Sequence, residues 1–275
     1  MNSDIFVASL IETLKSGALM QFVGRAKPPM DPWAVRILNR VLGNISPGQP
    51  EVPIMECTLT GPIIRARKPA LIAIGAPEGA LSLPLWEPIR LAAGEELDLR
   101  KLGGSGRIYF GLVRDVDSPG NPYRQFGKLL ANSRLRSATP SPSELAYLAD
   151  GPPQSLGSEM VNLCGQVFRL LPASDRRGLR YKAPREVKGG REIPPEPMTY
   201  GAIQLPPSGD PVIVGPDGPV TGGYARIGTV ALASLRQLAW QLPGGVVTFT
   251  QITRAEALKQ ALDLEEALAR DVVPC

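Results

Sequence analysis

Three short segments bring together residue types that could do chemistry. Ser174-Asp175-Arg176 places a hydroxyl, a carboxylate and a guanidinium on one turn ahead of Gly178. Asp175 could hold Arg176 in position and leave its planar fork to grip a carboxylate or phosphate. The plainer reading of the bare tripeptide is a turn with an internal ion pair. Gln204 stands alone among Ala202, Ile203 and Leu205, so its amide either meets a ligand or satisfies a strand end. Asp217, just before Gly218, is a general base or a turn residue. Gly222-Gly223 has no Cβ to hold a ligand away, and Thr221 and Tyr224 on either side carry hydroxyls. Backbone amides bared there could hold an anion or a carbonyl oxygen. The plainer alternative for the glycine pair is a tight β-turn packed on a neighbour.

The composition removes several classes of reaction. None of the 275 residues is a histidine, which excludes Ser-His-Asp and Cys-His chemistry and any histidine-ligated metal within the chain. Cys57, Cys164 and Cys275 are odd in number and widely spaced, with no CxxC, so neither a disulfide framework nor a cysteine-rich zinc site is suggested. A general base must be Asp, Glu, Lys or Tyr, or come from a partner. The formal charge of +4 is unevenly spread. Residues 169–191 hold eight basic side chains against Asp175 and Glu186, a local +6. That segment is either a solvated loop or a docking surface for an anionic substrate, phosphate or acidic partner. Nucleic acid is disfavoured, because Tyr181 is the sole aromatic there. No apolar run approaches a membrane span. Asp4 lies where a signal peptide needs positive charge, so a cytoplasmic protein is expected.

The elements that must position these residues are short. With 29 Gly and 29 Pro, the chain favours many strands and turns over long helices. Ala202–Leu205, the run Pro211-Val212-Ile213-Val214 and the segment after Gly222-Gly223 read as successive strands around Pro-Pro-Ser-Gly-Asp and Pro-Asp-Gly turns. Ile54–Leu59, Ile63–Arg67, Ala70–Ile74, Arg107–Val113, Val167–Leu171 and Val246–Ile252 read likewise. Ser143–Leu148 carries both a capping-box pattern and a strand pattern; a strand is expected. Residues 114–142 are polar, spotted with proline, and read as linker and surface. Three helices are expected. Asp31-Pro32 opens the first, over about 31–42, and Gly43 closes it. Ser234 caps the second, over about 234–241. Thr253-Arg254-Ala255-Glu256 caps the third, over about 254–269, with an apolar stripe of Leu258, Ala261, Leu262 and Leu268.

GAIQLPPSGDPVIV followed by TGGYARIGTV resembles the C-terminal half of the biotin-dependent carboxyltransferase family, which includes allophanate hydrolase subunit 2, KipA and the C subunit of 5-oxoprolinase. Ser174-Asp175-Arg176 with Gly178, Met30-Asp31-Pro32 through Leu42-Gly43-Asn44, and Thr58-Leu59-Thr60-Gly61-Pro62 resemble further family segments in the family's order. The resemblance implies a mainly β fold of two cyclophilin-like barrel lobes with a few short helices. The lobes would be a shortened N-terminal one, residues 1–141 including a linker at 114–141, and a C-terminal one, residues 142–275. It implies Asp175 and Asp217 as catalytic candidates, and Ser174, Arg176, Gln204, Thr221, Gly222, Gly223 and Tyr224 as substrate-binding. The chain departs from the family at Phe22, where an aspartate is usual. It also has only Ala26-Lys27-Pro28-Pro29 in place of a longer Gly-rich loop, and Gly218-Pro219-Val220 in place of polar residues.

The function so implied is that of a C-type component of an ATP-dependent 5-oxoprolinase or amide-hydrolysing complex. It would work with a B-type, KipI-like subunit and a separate A-like subunit. The resemblance implies no covalently bound cofactor, a complex that could use ATP, and a small anionic substrate such as 5-oxoproline. The ligand is expected where Ser174–Gly178 and Thr221–Tyr224 converge, with Gln204 between. The alternative is a non-catalytic, KipA-like regulator of the same B-type partner. A biotin-dependent urea carboxylase half-domain is a third version, weakened because no biotinyl segment is present.

Overall fold

The computed structural model describes residues 9–17, 19–24, 26–44, 52–100, 106–114, 127–129, 135, 143–152, 163–184 and 187–274. The chain divides into two compact units, Met1–Ala138 with Leu264–Cys275, and Thr139–Asp263. Both are built mainly of antiparallel strands.

In the first unit, β2 (Leu19–Val23), β3 (Ile54–Thr58), β8 (Arg107–Arg114), β5 (Ala70–Gly75) and β6 (Pro88–Leu91) form a five-stranded sheet in that spatial order. A second sheet joins β1 (Ile11–Lys15), β4 (Ile63–Ala66) and β7 (Glu96–Asp98). All six residues of β5 are buried, as its unbroken apolar sequence requires. Helix α1 (Pro32–Val41) packs on β5 and β8. Asp31 caps it as expected: Oδ1 accepts from Trp33 N at 2.8 Å and Ala34 N at 3.2 Å. Gly43, at φ +62°, ends it. The helix entry is tied to the sheet through buried polar groups. Glu56 Oε2 accepts from Met30 N at 2.9 Å, Tyr109 Oη accepts from Asp31 N at 2.9 Å, and Glu56 Oε1 accepts from Gln21 Nε2 at 3.3 Å.

Most of the expected 114–142 linker lies outside the described residues. The linker does hold β9 (Gly127–Leu129), which pairs antiparallel with β18 (Val272–Pro274). No sequence pattern announced this long-range pair.

The second unit is a closed barrel of seven strands. Its order is β10 (Ser143–Leu148), β17 (Val246–Gln251), β11 (Val167–Leu170), β12 (Gly178–Lys182), β15 (Val212–Val214), β14 (Ala202–Leu205) and β16 (Thr221–Val230). β16 returns to β10 through Tyr147↔Val230 and Leu148↔Thr229, which closes the ring. β10 and β17 are its parallel pair. Alternation fills the inside with Leu145, Tyr147, Phe168, Leu179, Tyr181, Ile203, Ile213, Val247 and Phe249, all buried. Phe168 and Tyr147 both meet Phe249 edge to face, at 5.1 and 6.0 Å between ring centroids. An eighth strand, β13 (Glu192–Pro197), hangs on β16 outside the ring.

Two helix details differ from the sequence reading. Ser234 does not cap α2 (Leu235–Trp240); its Oγ instead accepts from Ala146 N at 3.1 Å, pinning a 3-10 turn, Leu232–Ser234, to β10. In α3 (Arg254–Asp271) the capping box forms, with Thr253 N donating to Glu256 Oε2 at 2.7 Å and Glu256 N to Thr253 Oγ1 at 3.2 Å. The apolar stripe is buried only towards the C-terminus. Leu264, Ala267 and Leu268 are buried, whereas Leu258 is 60% and Leu262 52% exposed. The buried part begins where the helix passes into the first unit, at Leu264.

Candidate functional site

The Ser174–Gly178 turn links β11 to β12, and its polar groups are engaged locally. Asp175 does not hold Arg176. Its Oδ1 accepts from Arg177 N at 2.8 Å and Gly178 N at 3.2 Å, and its Oδ2 from the Arg177 guanidinium at 3.0 and 3.1 Å. The reason is geometric: a carboxylate heading a turn faces the amides two and three residues on, and Arg177 lies on that side. Burial alone would raise the Asp175 pKa, but the hydrogen bonds from Arg177 and Gly178 outweigh it, and the carboxyl lies below its usual range. Ser174 Oγ accepts from Arg180 N at 2.9 Å and donates to Arg180 O at 3.3 Å, bracing the same turn.

Arg176 is held by Asp217 instead. Nε and Nη2 reach the two carboxylate oxygens at 2.8 and 2.9 Å, a bidentate pair, and Asp217 N donates to Arg176 O at 3.1 Å. Arg176 is 9% exposed. The two sequence-predicted residues are therefore brought together, but as partners of each other: the edge of the Arg176 fork expected to face a ligand faces Asp217.

Gln204 and Gly222 form a second, separate grouping. Gly222-Gly223 is not a turn; both residues lie in β16, with Gly222 opposite Glu196 of β13 and Thr221 opposite Pro197. A methyl group on Gly222 would collide with Gln204 Nε2 and crowd Met198 Cγ at 3.1 Å, so only glycine lets the Gln204 amide lie there. Gln204 is 7% exposed, and its Nε2 has no hydrogen-bond partner. Its register partner on β16 is Arg226. Gly222, Tyr224 and Arg226 alternate along one face of that strand, while Thr221 and Gly223 lie on the other. Arg226 Nη1 donates to Asp150 Oδ1 at 3.2 Å, and Nε lies 3.5 Å from Glu196 Oε1. The loop from Gly215 to Val220 runs from the Arg176–Asp217 pair to Thr221.

Glu196, Arg226 and Asp150 were missed by the sequence reading. Arg226 was legible in principle, two residues beyond Tyr224 on an alternating strand. Glu196 was not: Glu192-Ile193-Pro194-Pro195-Glu196-Pro197 reads as a breaker, and only an outer strand tolerates it. A cavity of about 380 Å³ opens where β10 and β17 meet the first turn of α3. Its lining includes Leu148, Asp150, Gln251, Thr253 and Arg254, none of them a residue the sequence singled out as a ligand-binding group.

A closed barrel carrying an extra strand, together with the sheet-built first unit, is a carboxyltransferase-type architecture. The structure superposes on Kluyveromyces lactis urea carboxylase with a TM-score of 0.69 at 17% identity, covering 97% of this chain and 30% of that one. The K. lactis urea amidolyase gives 0.70 at 19%, covering 97% and 21%. A family model described as carboxyltransferase domain, subdomain A and B, matches residues 28–121 and 124–251. The chain belongs to the carboxyltransferase-domain family. It is 37% identical over 93 residues to the C subunit of 5-oxoprolinase from Haemophilus influenzae, covering 34% of this chain and 30% of the relative. It is 26% identical over 299 residues to urea amidolyase of Lachancea kluyveri, covering 86% of this chain and 16% of the relative. The match therefore spans less than a third of either curated relative. No helix among the described residues is long and apolar enough to cross a membrane.

Proposed function

We propose that this chain is the C-type subunit of an ATP-dependent 5-oxoprolinase-type complex that opens a small, anionic cyclic amide in the cytoplasm. The observation that carries the reading is the Gln204 amide. It is buried, lacks a hydrogen-bond partner, and rests on a strand glycine whose missing Cβ makes room for it. A ligand carbonyl is what such a donor lacks. Gln204 and Gly222 would bind that carbonyl, with Thr221, Gly223 and Tyr224 framing the same strand end. The identity with the C subunits of the 5-oxoprolinases from H. influenzae and Escherichia coli, 37% and 36% over partial stretches, supports the substrate class. Phosphoryl chemistry and the ATP would belong to the assembled complex, and no cofactor would be attached covalently.

One observation favours a second reading, a KipA-like regulator without catalysis of its own. The carboxylates offered for catalysis, Asp175 and Asp217, are each gripped by a neighbouring arginine, which leaves neither poised as a base. Both readings require a B-type, KipI-like partner. Co-expression with that partner followed by size-exclusion chromatography should give one co-eluting complex at micromolar concentration. Separate elution would count against both.

A further inference from the structure

The polar atoms around β13 do not balance. Three buried side-chain atoms in this one patch lack a hydrogen-bond partner: Gln204 Nε2, Arg226 Nε and Glu196 Oε1. They are neighbours by register, since Gln204 lies opposite Arg226, and Glu196 opposite the Gly222 on which Gln204 rests. Arg226 and Glu196 attract each other at 3.5 Å, yet neither atom gains an aligned hydrogen bond. Folded proteins leave few buried polar groups unsatisfied, and a cluster of three calls for a physical cause.

The strand beside them is an edge strand with few donors. Among the described strands β13 pairs with β16 alone, and it carries Pro194, Pro195 and Pro197, which cannot donate to a ladder. Its register with β16 is interrupted between Glu192 and Glu196. The patch thus lies at an edge strand, paired on one side.

The chemistry of the three atoms defines what would complete them. Two donors suit the two lone pairs of one carbonyl oxygen, and the acceptor suits an N–H beside it. A cis amide presents C=O and N–H along one edge, as lactams and cyclic ureas do; a trans amide points them in opposite directions. We propose that Gln204, Arg226 and Glu196 form a subsite that reads the cis-amide edge of a lactam or ureido group. Gln204 and Arg226 donate to its oxygen, and Glu196 accepts from its nitrogen. The proposal rests on the reading of Gln204 as a carbonyl donor given above and adds Arg226 and Glu196 as the specificity determinants.

The test is binding of 5-oxoproline and of N-methyl-5-oxoproline to the full chain, by calorimetry and ligand-observed NMR. The methyl group leaves the carbonyl intact and removes the N–H. The wild-type chain should bind 5-oxoproline at least about tenfold more tightly than the methylated ring, the size of one hydrogen bond to a charged group. Glu196→Gln should shrink that discrimination, and Gln204→Leu should weaken both ligands alike. Thermal midpoints show whether either variant is merely unfolded; Glu196→Gln keeps the shape of the side chain and serves if Gln204→Leu does not fold. Equal binding of the two rings, no binding at millimolar 5-oxoproline, or a crystal structure showing an internal water only at the three atoms would overturn the proposal. Discriminating binding that persists while reconstituted complexes fail to hydrolyse 5-oxoproline would leave the subsite standing and sink the proposed function instead.

Discussion

Arg176→Ala separates an arginine that holds the fold from one that awaits a ligand. In the structure the guanidinium makes two charge-assisted bonds to Asp217, at 2.8 and 2.9 Å. Its side chain is 10% exposed and that of Asp217 31%. Breaking a fully buried pair by removing one partner costs about 3–5 kcal/mol. Asp217 keeps about a third of its access to water, which lowers the expected loss to about 2–3 kcal/mol. Arg177→Ala removes a contact in which two guanidinium donors share Asp175 Oδ2, and there the side chains are 77% and 44% exposed, so the loss should be about 0–1 kcal/mol. Urea unfolding followed by circular dichroism is the assay. With a slope of about 2–3 kcal/mol per molar, the Arg176→Ala midpoint should fall by roughly 1 M while that of Arg177→Ala barely moves. The double variant Arg176→Ala/Asp217→Ala should lose less than the sum of the single ones. Equal, small losses for Arg176→Ala and Arg177→Ala would refute the assignment of Arg176 to the fold and return it to the ligand-binding candidates.

Gly222→Ala should leave the thermal midpoint within a few degrees of wild type. Gly222 is not at a left-handed φ, and the colliding atom is the end of a flexible side chain; 5-oxoproline binding measured by calorimetry should nevertheless be lost. Glu265 lies below the usual glutamate range because Arg36 hydrogen-bonds it, with Nη2 to Oε2 at 2.6 Å. Its folded pKa is thus below its unfolded one, so the pair stabilises above the ordinary glutamate value, and that contribution fades as pH falls through the folded value. Glu265→Gln should therefore be less stable than wild type at pH 7 and converge with it in acid, as followed by thermal melts across pH. The Cys57 thiol is pushed up to about 12, by burial first and then by the neighbouring Glu56. Mass spectrometry after iodoacetamide at pH 8 should find Cys57 unmodified until the protein unfolds, while the half-buried Cys164 reacts.

Much of the architecture was legible because local signals agreed with one another. Asp31-Pro32 with Gly43 set α1 to within a residue at each end, and Thr253 with Glu256 set the start of α3. Alternating and buried-run strands such as Val246–Gln251 and Ala70–Gly75 followed from their apolar patterns. What was not legible depends on partners distant in the chain. Gly127–Leu129 is a strand only because Val272–Pro274 comes to meet it. Glu192–Pro197 is a strand only because it lies outside the ring, where prolines need not donate. The site shows the same division. Ser174-Asp175-Arg176 and Asp217 were each singled out from sequence, but which arginine each carboxylate takes depends on side-chain direction around the turn. Gln204 and Gly222 were both named from sequence. Their contact, and the role of Glu196 and Arg226 around them, needed the register of β13, β14 and β16.

The most direct test of the account is ATP-dependent hydrolysis of 5-oxoproline by A-type and B-type subunits reconstituted with this chain. The account predicts that glutamate forms only when all three are present. It also predicts that Gln204→Ala abolishes turnover while still co-eluting with the B-type subunit. Full turnover without this chain, or turnover undiminished by Gln204→Ala, would contradict it.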